Sequence, residues 1–496
     1  MIDESYKEEL LNTALVEHES KNFLNAKSIY LQITKLYPED FYPLFLLGTL
    51  EIDLQNYSSA ALILEKSLQI NPEYLDTCLN LGFVYTSIDR YDDAIKVYYD
   101  AVNSKKFDIN IKSHEKIIRR FARINIEIGN RTEGIKLYWQ ILKHFPDDFQ
   151  IYNLLHEMKA FKFNKSFISK IKKFLKNKKI PHDKRVQATF LLSKYEREKQ
   201  NFKSEFLLLK EAHGIIYDNN KDRFNKVTSF YLNKLGNLDQ SYDHSIELKS
   251  IKKKRMSVFP IFIVGLPRSG STILEKVISS GSKSLVPGEE TAIMHILFNE
   301  IFLNSNFKDN IDDIAEAIVS QYEKKGLINS KINQSFIDKS LENYFCLGWI
   351  MKIFPNAKII NIKKDPLASM VSIFRRNLFN TTWAHRIEDI SKYMNSYYEL
   401  ISKWETKFQI PIYHLNYEKF IEDFDGETKK LFKHLSLDWH EKVKDINNKG
   451  KIVSKTASTI QIREPIYTKL NKDYEDLSKF MIKNLEQYDW YQRNKV

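Results

Sequence analysis

The chain contains few cysteines and has no long uninterrupted apolar segment. Only Cys78 and Cys346 are cysteines, and neither belongs to a Cys-x-x-Cys pair or has a histidine at metal-ligand spacing. We therefore expect two buried thiols in a reducing compartment, and neither a disulfide framework nor a metal site. No run approaches the roughly 18 apolar residues of a membrane span, and the acidic start at residues 1–10 does not fit a secretory signal. These absences predict a cytoplasmic protein without a membrane span.

The net charge is positive, but it is not concentrated in any one segment. The chain has 76 Lys and Arg against 64 Asp and Glu, a formal charge of +12, and forms no basic arm or one-faced stripe. We therefore do not expect nucleic-acid binding, although a generally positive field attracts a multiply anionic nucleotide. The length of 496 residues predicts two or three domains.

The first part of the chain repeats at an interval of 34 residues. A small residue, a large apolar residue, a Leu-Gly pair and a proline each return at this interval. The repeated positions are Ala26, Ala60 and Ala94; Tyr30, Leu64 and Tyr98; Leu47-Gly48 and Leu81-Gly82; and Pro38 and Pro72. This is the tetratricopeptide spacing, in which small residues allow the two helices of a unit to cross closely. We predict an N-terminal all-α tetratricopeptide solenoid over residues 1–250, regular to about residue 148 and degenerate after it, with a concave face suited to a peptide or protein partner.

A β-rich apolar run ends in a short loop before a helix-like segment. Residues 260–272 read Pro-Ile-Phe-Ile-Val-Gly-Leu-Pro-Arg-Ser-Gly-Ser-Thr. A strand, a tight loop and a helix N-terminus direct several N–H groups at one point, which suits a phosphate. Gly265 and Gly270 fit the pattern G-x-x-x-x-G-K-[ST], but Ser271 stands where a lysine would contact the β- and γ-phosphates of ATP. We therefore expect phosphate binding without phosphoryl transfer from ATP.

This loop resembles the 5′-phosphosulfate-binding loop, P-R-S-G-[TS]-[TS], of sulfotransferases that use 3′-phosphoadenosine 5′-phosphosulfate (PAPS). The matching residues are Pro267, Arg268, Ser269, Gly270, Ser271 and Thr272. Further segments over about residues 258–475 resemble the bacterial tetratricopeptide-repeat sulfotransferases, which are related to tyrosylprotein sulfotransferases. The resemblance implies a P-loop-like α/β sulfotransferase domain over residues 258–496 with a central parallel sheet. It also implies PAPS as donor, 3′-phosphoadenosine 5′-phosphate (PAP) as product, no metal, and in-line transfer to a hydroxyl acceptor.

Three motifs of the family supply candidate catalytic residues beside Arg268. Pro-Gly-Glu-Glu-Thr at residues 287–291 resembles the Gly-Glu pair that supplies the base for the acceptor hydroxyl. Counted without gaps from Arg268, the position of the base is Glu289, which we favour. Aligning the whole Gly-Glu-Glu-Thr string instead places the base at Glu290. Lys339 matches the lysine that contacts the bridging and 5′-phosphate oxygens, the alternative being a surface lysine. Ser458 matches the serine that assists sulfuryl transfer.

A fourth motif implies a clamp for the 3′-phosphate of the donor. A strand-like run is followed by Lys364 and, eight residues later, by Ser372, where the family has an arginine and a serine. Lysine keeps the charge but lacks the bidentate fork of arginine. Asp365 is expected to cap the following helix. Arg375 and Arg376 could support the clamp, although a solvated basic face is the favoured interpretation.

The remaining nucleotide contacts are less defined by the sequence. Tyr417 either touches the nucleotide or is a core tyrosine. The Gly-Arg-Trp segment that covers the cofactor in the family is missing, and Lys472, or otherwise Lys469, would replace its basic residue.

The sequence leaves the acceptor open. Arginines that suit acidic peptides follow the glutamates in animal tyrosylprotein sulfotransferases, but residues 291–295 here read Thr-Ala-Ile-Met-His. A protein tyrosine, a glycan or a small hydroxylated molecule all remain possible. His295 and His385 could line the pocket, although structural roles are favoured. The alternative function is a non-catalytic repeat adaptor whose second domain binds PAP.

Overall fold

The computed structural model describes residues 4–233, 239–240, 242, 258–281, 285–288, 292–303, 311–328, 335–443 and 473–493. The chain divides into two compact units, the first running to Lys162 and the second beginning at Phe163. The second unit groups the helices after residue 163 with the sheet domain, and the domain boundary near residue 250 stays a prediction. Among the described residues, no helix has both the length and the apolar character that crossing a bilayer requires.

The first unit is built from antiparallel helix pairs. Its helices are α1 (Glu4–Glu19), α2 (Phe23–Leu36), α3 (Phe41–Asp53), α4 (Tyr57–Ile70), α5 (Leu75–Ser87), α6 (Tyr91–Val102), α7 (Lys112–Ile128), α8 (Arg131–His144) and α9 (Phe149–Glu157). The alanines that repeat every 34 residues, Ala26, Ala60 and Ala94, are completely buried on α2, α4 and α6. The predicted helical repeat array is therefore confirmed over this part of the chain.

Two glycines show why the repeat needs small residues where its helices cross. A Cβ atom on Gly82 of α5 would lie 2.3 Å from Cζ of Tyr98 on α6. One on Gly48 of α3 would lie 2.6 Å from Cγ of Leu64 on α4. Both distances are far below a van der Waals contact, so any side chain here would push the paired helices apart.

The second unit begins with four helices and continues with a five-stranded sheet. The four helices are α10 (Lys165–Lys176), α11 (His182–Glu198), α12 (Phe202–Asp218) and α13 (Lys221–Asn233). The strands are β1 (Ile261–Gly265), β2 (Val286–Gly288), β3 (Phe336–Asp338), β4 (Lys358–Lys363) and β5 (Ile412–Asn416). Their order is β2-β3-β1-β4-β5, and every pairing is parallel.

Helices connect the strands and complete the unit. They are α14 (Ser271–Ser280), α15 (Ala292–Leu303), α16 (Ile311–Lys324), α17 (Leu347–Ile353), α18 (Pro366–Phe374), α19 (Ile387–Thr406), α20 (Tyr417–Glu422), α21 (Phe424–Leu435), α22 (Tyr474–Ser478), α23 (Lys483–Glu486) and α24 (Asp489–Arg493). Short 3-10 helices cover Leu341–Cys346, Thr382–His385 and Glu441–Val443.

The sheet is buried on both faces, as expected for a parallel sheet with crossover helices. Along β1, Phe262 and Val264 belong to one apolar cluster, whereas Ile261 and Ile263 belong to another. The predicted α/β domain with a central parallel sheet is therefore confirmed. Cys78 and Cys346 are both buried free thiols, as the sequence predicted.

Candidate active site

Four of the sequence-predicted residues within the described ranges lie along one edge of the sheet. Because all five strands are parallel, their carboxyl ends meet at the same edge, where open α/β sheets bind ligands. Arg268 comes three residues after β1, and Lys339, Lys364 and Tyr417 directly follow β3, β4 and β5. The structure thus brings these four side chains, far apart in sequence, to a common edge.

The loop between β1 and α14 turns through left-handed backbone conformations. Arg268 has a φ of 70° and Gly270 a φ of 96°. A Cβ atom on Gly270 would also lie 2.4 Å from Cε2 of Tyr417, so glycine is required there for two reasons. Ser269 is 1% exposed, and its Oγ has no hydrogen-bond partner among the described residues. A buried hydroxyl without a partner is costly, and an anion held by this loop would provide one.

The positive charges of Lys364 and Arg268 interact at this edge. The Nζ of Lys364 lies 5.1 Å from the centroid of the Tyr417 ring. Burial lowers the pKa of Lys364; the nearby carboxylate of Glu418 opposes this shift, and the positive charge of Arg268 adds to it. Burial also raises the pKa of Tyr417, which Arg268 opposes. An anion bound beside Arg268 and Lys364 would relieve their mutual repulsion.

Lys339 is a buried cation rather than a surface lysine. It is 3% exposed, and its Nζ lies 3.8 Å from Oε2 of Glu275 on α14, the helix that follows the loop. Its backbone N–H donates to the carbonyl of Gly288 at the end of β2, with an N···O distance of 2.9 Å. The neighbouring Asp338 accepts from Tyr322 Oη at 2.5 Å and so fixes the end of β3. The surface-lysine alternative is therefore wrong.

Helix α18 begins with the predicted cap. The carboxylate of Asp365 accepts from the backbone N–H of Ala368 at 2.7 Å, which confirms that expectation. The backbone N–H of Asp365 in turn donates to Glu418 Oε1 at 3.0 Å, joining the ends of β4 and β5. Ser372 lies half-buried on the same helix.

Arg375 does not belong to a solvated basic face, so the favoured interpretation of this residue is wrong. Its side chain is 11% exposed, and its Nε lies 2.7 Å from Oε1 of Glu205 on α12. Its Nη1 lies 2.9 Å from Oδ1 of Asp473, whose Oδ2 accepts from Arg197 Nε at 2.7 Å. The carboxylate on α12 comes from 170 residues away in the chain, so no local pattern could indicate it.

His385 has the structural role that was favoured. It is buried, with its Nδ1 3.0 Å from Nδ1 of His213. Because His213 Nε2–H donates to the carbonyl of Phe374 at 2.7 Å, its Nδ1 accepts from His385. Burial lowers the pKa of His213 to about 3 and that of His385 to about 4, so both rings are neutral at pH 7. His295, by contrast, is exposed on α15.

Four of the predicted site residues, Glu289, Glu290, Ser458 and Lys472, lie outside the described residues, as does Lys469. Glu289 is the residue that directly follows the last residue of β2 in the sequence. Within the described ranges, no group of three or more His, Cys, Asp or Glu side chains is placed to hold a metal ion.

One titratable residue at this edge was missed by sequence reasoning. Glu342 lies on the 3-10 helix that follows Lys339, half-buried against two tyrosine hydroxyls. Its only sequence signal is its place three residues after that lysine.

Comparison with known proteins identifies both parts of the chain. Residues 260–441 match the sulfotransferase family, and residues 75–108 match the tetratricopeptide repeat. The first match runs from β1 to the start of the third 3-10 helix, and the second covers α5 and α6.

Two curated relatives match over long stretches. An uncharacterized protein of Aquifex aeolicus is 23% identical over 394 residues, covering 75% of this chain and 50% of that protein. Protein-tyrosine sulfotransferase A of Caenorhabditis elegans is 22% identical over 271 residues, covering 48% of this chain and 64% of that protein. The chain thus spans half and just under two thirds of the lengths of these relatives.

A solved structure, the sulfotransferase domain of the Synechococcus PCC 7002 olefin synthase, is 14% identical with a TM-score of 0.33. The similarity covers 49% of this chain and 99% of that domain.

Proposed function

This chain joins tetratricopeptide repeats to a domain of the sulfotransferase family, and we propose that it transfers a sulfuryl group from PAPS to a hydroxyl acceptor. The observation that carries the proposal is the alignment of Arg268, Lys339, Lys364 and Tyr417 along the carboxyl edge of one parallel sheet. Three of these side chains are cations, which suits a donor with several anionic groups.

The residues at the edge fit the two phosphate groups of such a donor. We assign the 5′-phosphosulfate to Arg268 and to the backbone N–H groups of residues 267–272, where α14 begins. The buried, unpartnered hydroxyl of Ser269 supports an anion at this loop. We assign the 3′-phosphate to Lys364 and Ser372, and a contact with the nucleotide to Tyr417. Lys472 would replace the basic residue of the Gly-Arg-Trp segment, which covers the cofactor in the family and is missing from this sequence.

The donor supplies a sulfuryl group that is already attached to a phosphate leaving group. We assign Glu289 as the base that takes the acceptor hydroxyl proton while the new S–O bond forms and the S–O bond to the phosphate breaks. Lys339 offsets the negative charge that develops on the leaving phosphate, and Ser458 assists the transferring group. The transfer is in line and needs neither a metal nor a covalent enzyme intermediate.

The acceptor presents a hydroxyl group, and the repeat array is a natural place for a peptide or protein acceptor to dock. The nematode relative is a protein-tyrosine sulfotransferase, which makes a protein tyrosine one acceptor to test beside glycans and small molecules.

The test is transfer of ³⁵S from labelled PAPS to a cell extract. The wild-type protein is expected to label a product, and Glu289→Gln to reduce the rate roughly 10²- to 10⁴-fold, the usual contribution of a general base. Glu290→Gln removes the neighbouring carboxylate and is the matched control, expected to stay within a few-fold of wild type. A protein that binds PAP but labels nothing in any extract would instead be the non-catalytic adaptor.

A further inference from the structure

The proposed mechanism leaves unused one half-buried carboxyl group, that of Glu342, which follows β3 closely in the chain. Oε2 of Glu342 accepts from Tyr231 Oη at 3.4 Å, and Oε1 accepts from Tyr393 Oη at 3.5 Å. Both hydrogen bonds are long, and no ion pair between described residues includes Glu342. A carboxylate enclosed by protein ordinarily has a cation as partner.

Glu342 is partly exposed instead of being sealed in the core. Its side chain keeps contact with solvent, yet the surrounding protein raises its pKa to about 7, more than the two tyrosine hydroxyls can offset. The titratable groups recorded around it are the hydroxyls of Tyr231 on α13, Tyr393 on α19 and Tyr344 on its own 3-10 helix. Among the described residues, none of these neighbouring groups carries a positive charge, and the partial exposure of Glu342 leaves it accessible from solvent.

The position of Glu342 matches the side from which an acceptor must approach. The proposed nucleotide contacts follow β1, β4 and β5, whereas the proposed base and Lys339 follow β2 and β3, the two strands at the other side of the sheet. The acceptor hydroxyl must therefore arrive above β2 and β3. Glu342 comes three positions after Lys339 in the chain, which keeps their Cα atoms within about 11 Å.

The carboxyl group is held in place by rigid neighbours. Tyr393 stacks on Trp383 with ring centroids 3.7 Å apart and an interplanar angle of 10°, so the hydroxyl that bonds Glu342 is fixed. Tyr231, whose hydroxyl donates to the other carboxylate oxygen, is half-buried, so part of this residue stays accessible next to Glu342. A fixed carboxylate next to an accessible aromatic ring is a favourable site for an organic cation.

We propose that Glu342 and Tyr231 form an acceptor subsite that binds the ammonium group of a hydroxyl-bearing amine. The inference rests on the proposed sulfuryl transfer and adds the chemical class of the acceptor. Ammonium fits better than a neutral donor because it supplies a positive charge, which none of the described groups around Glu342 carries. The absence of arginine from residues 291–295 agrees with it, since arginines there would suit an acidic acceptor.

The test is calorimetric binding of tyramine and of 4-ethylphenol to the PAP-saturated protein at pH 7. These two phenols differ in the ammonium group, and we expect tyramine to bind at least about tenfold more tightly, the usual effect of a charged hydrogen bond. Ion pairing lowers the pKa of Glu342 from about 7, so binding of tyramine should release about half a proton. That release is measured by repeating the titration in two buffers with different ionisation enthalpies.

Two variants complete the experiment. Glu342→Gln should abolish both the tyramine preference and the proton release while PAP affinity stays within about twofold. Glu405→Gln is the matched control, because Glu405 on α19 is also a half-buried carboxylate, held by His414 of β5, and it should behave as wild type. If Glu342→Gln does not fold, the proton release measured with the wild-type protein tests the ammonium subsite on its own.

The outcomes separate this inference from the proposed function. Equal binding of the two phenols, no proton release, or a preference that persists in Glu342→Gln would overturn the ammonium subsite even if PAP binds. A wild-type protein that does not bind PAP at all would instead refute the donor assignment on which the inference rests.

Discussion

Replacing Lys364 by alanine is expected to weaken PAP binding about 10- to 150-fold and to leave AMP binding nearly unchanged. The two ligands differ in the 3′-phosphate, which we assign to this lysine. A hydrogen bond to a charged group contributes about 1.5–3 kcal/mol, and about 1.4 kcal/mol corresponds to a tenfold change in affinity. Burial of the ammonium beside Tyr417 places the effect in this range, because solvent screens a buried charge little.

Calorimetric titration of both ligands into wild type and variant measures the difference. The adjacent Lys363→Ala is the matched control: it removes the same charge from a half-buried lysine whose charged neighbour is Glu405. It should change the Kd of neither ligand by more than about twofold, because we assign Lys363 no contact with the nucleotide and its charge interacts with Glu405. Lys364→Arg should restore PAP binding through the guanidinium fork.

The protonation of Lys364 gives a second readout of the same assignment. Because burial lowers its pKa, wild-type PAP affinity should fall as the pH rises through the alkaline range and the lysine loses its proton. Lys364→Ala should flatten that dependence. Equal weakening of PAP and AMP by Lys364→Ala, or an unchanged pH profile, would refute the assignment of the 3′-phosphate to this residue.

Three further substitutions test the site and its support. Gly270→Ala should abolish PAP binding and cost about 1–3 kcal/mol of stability, while Gly326→Ala, left-handed but in open space, should keep PAP binding. Burial lowers the pKa of His385 to about 4, so the stability that its neutral ring contributes is present above pH 6.5 and is lost as the pH falls. We expect this loss to lower the free energy of unfolding by roughly 3 kcal/mol between pH 6.5 and 4. In denaturant titrations, His385→Gln should make the free energy of unfolding less dependent on pH over this range. Arg375→Met should cost about 3–5 kcal/mol of unfolding free energy by leaving Glu205 buried without its cation, and adding Glu205→Gln should recover part of it; no recovery would contradict the ion-pair explanation.

The parts of the fold that depend on local spacing could be predicted from the sequence. The 34-residue interval indicated the helix crossings, and the contact between Gly82 and Tyr98 shows the physical reason for it. The strand, loop and helix around Gly270 were also indicated, because left-handed backbone and close approach both require glycine. The cap at Asp365 follows from a local hydrogen bond three residues away.

The parts that depend on distant contacts could not be predicted. Arg375 was interpreted as solvent-facing because its partner on α12 is 170 residues away in the chain. Glu342 belongs to no motif, and its raised pKa comes from burial beside tyrosines on α13 and α19. Such environments are created by tertiary packing, which a linear pattern does not record.

The central claim is that the loop after β1 holds an adenylyl-sulfate donor rather than a nucleoside triphosphate. A calorimetric titration with PAP and with ATP tests it most directly. The account predicts saturable PAP binding that Arg268→Ala weakens, with far weaker binding of ATP, because Ser271 replaces the lysine that ATP requires. Tight binding of ATP without binding of PAP would contradict it.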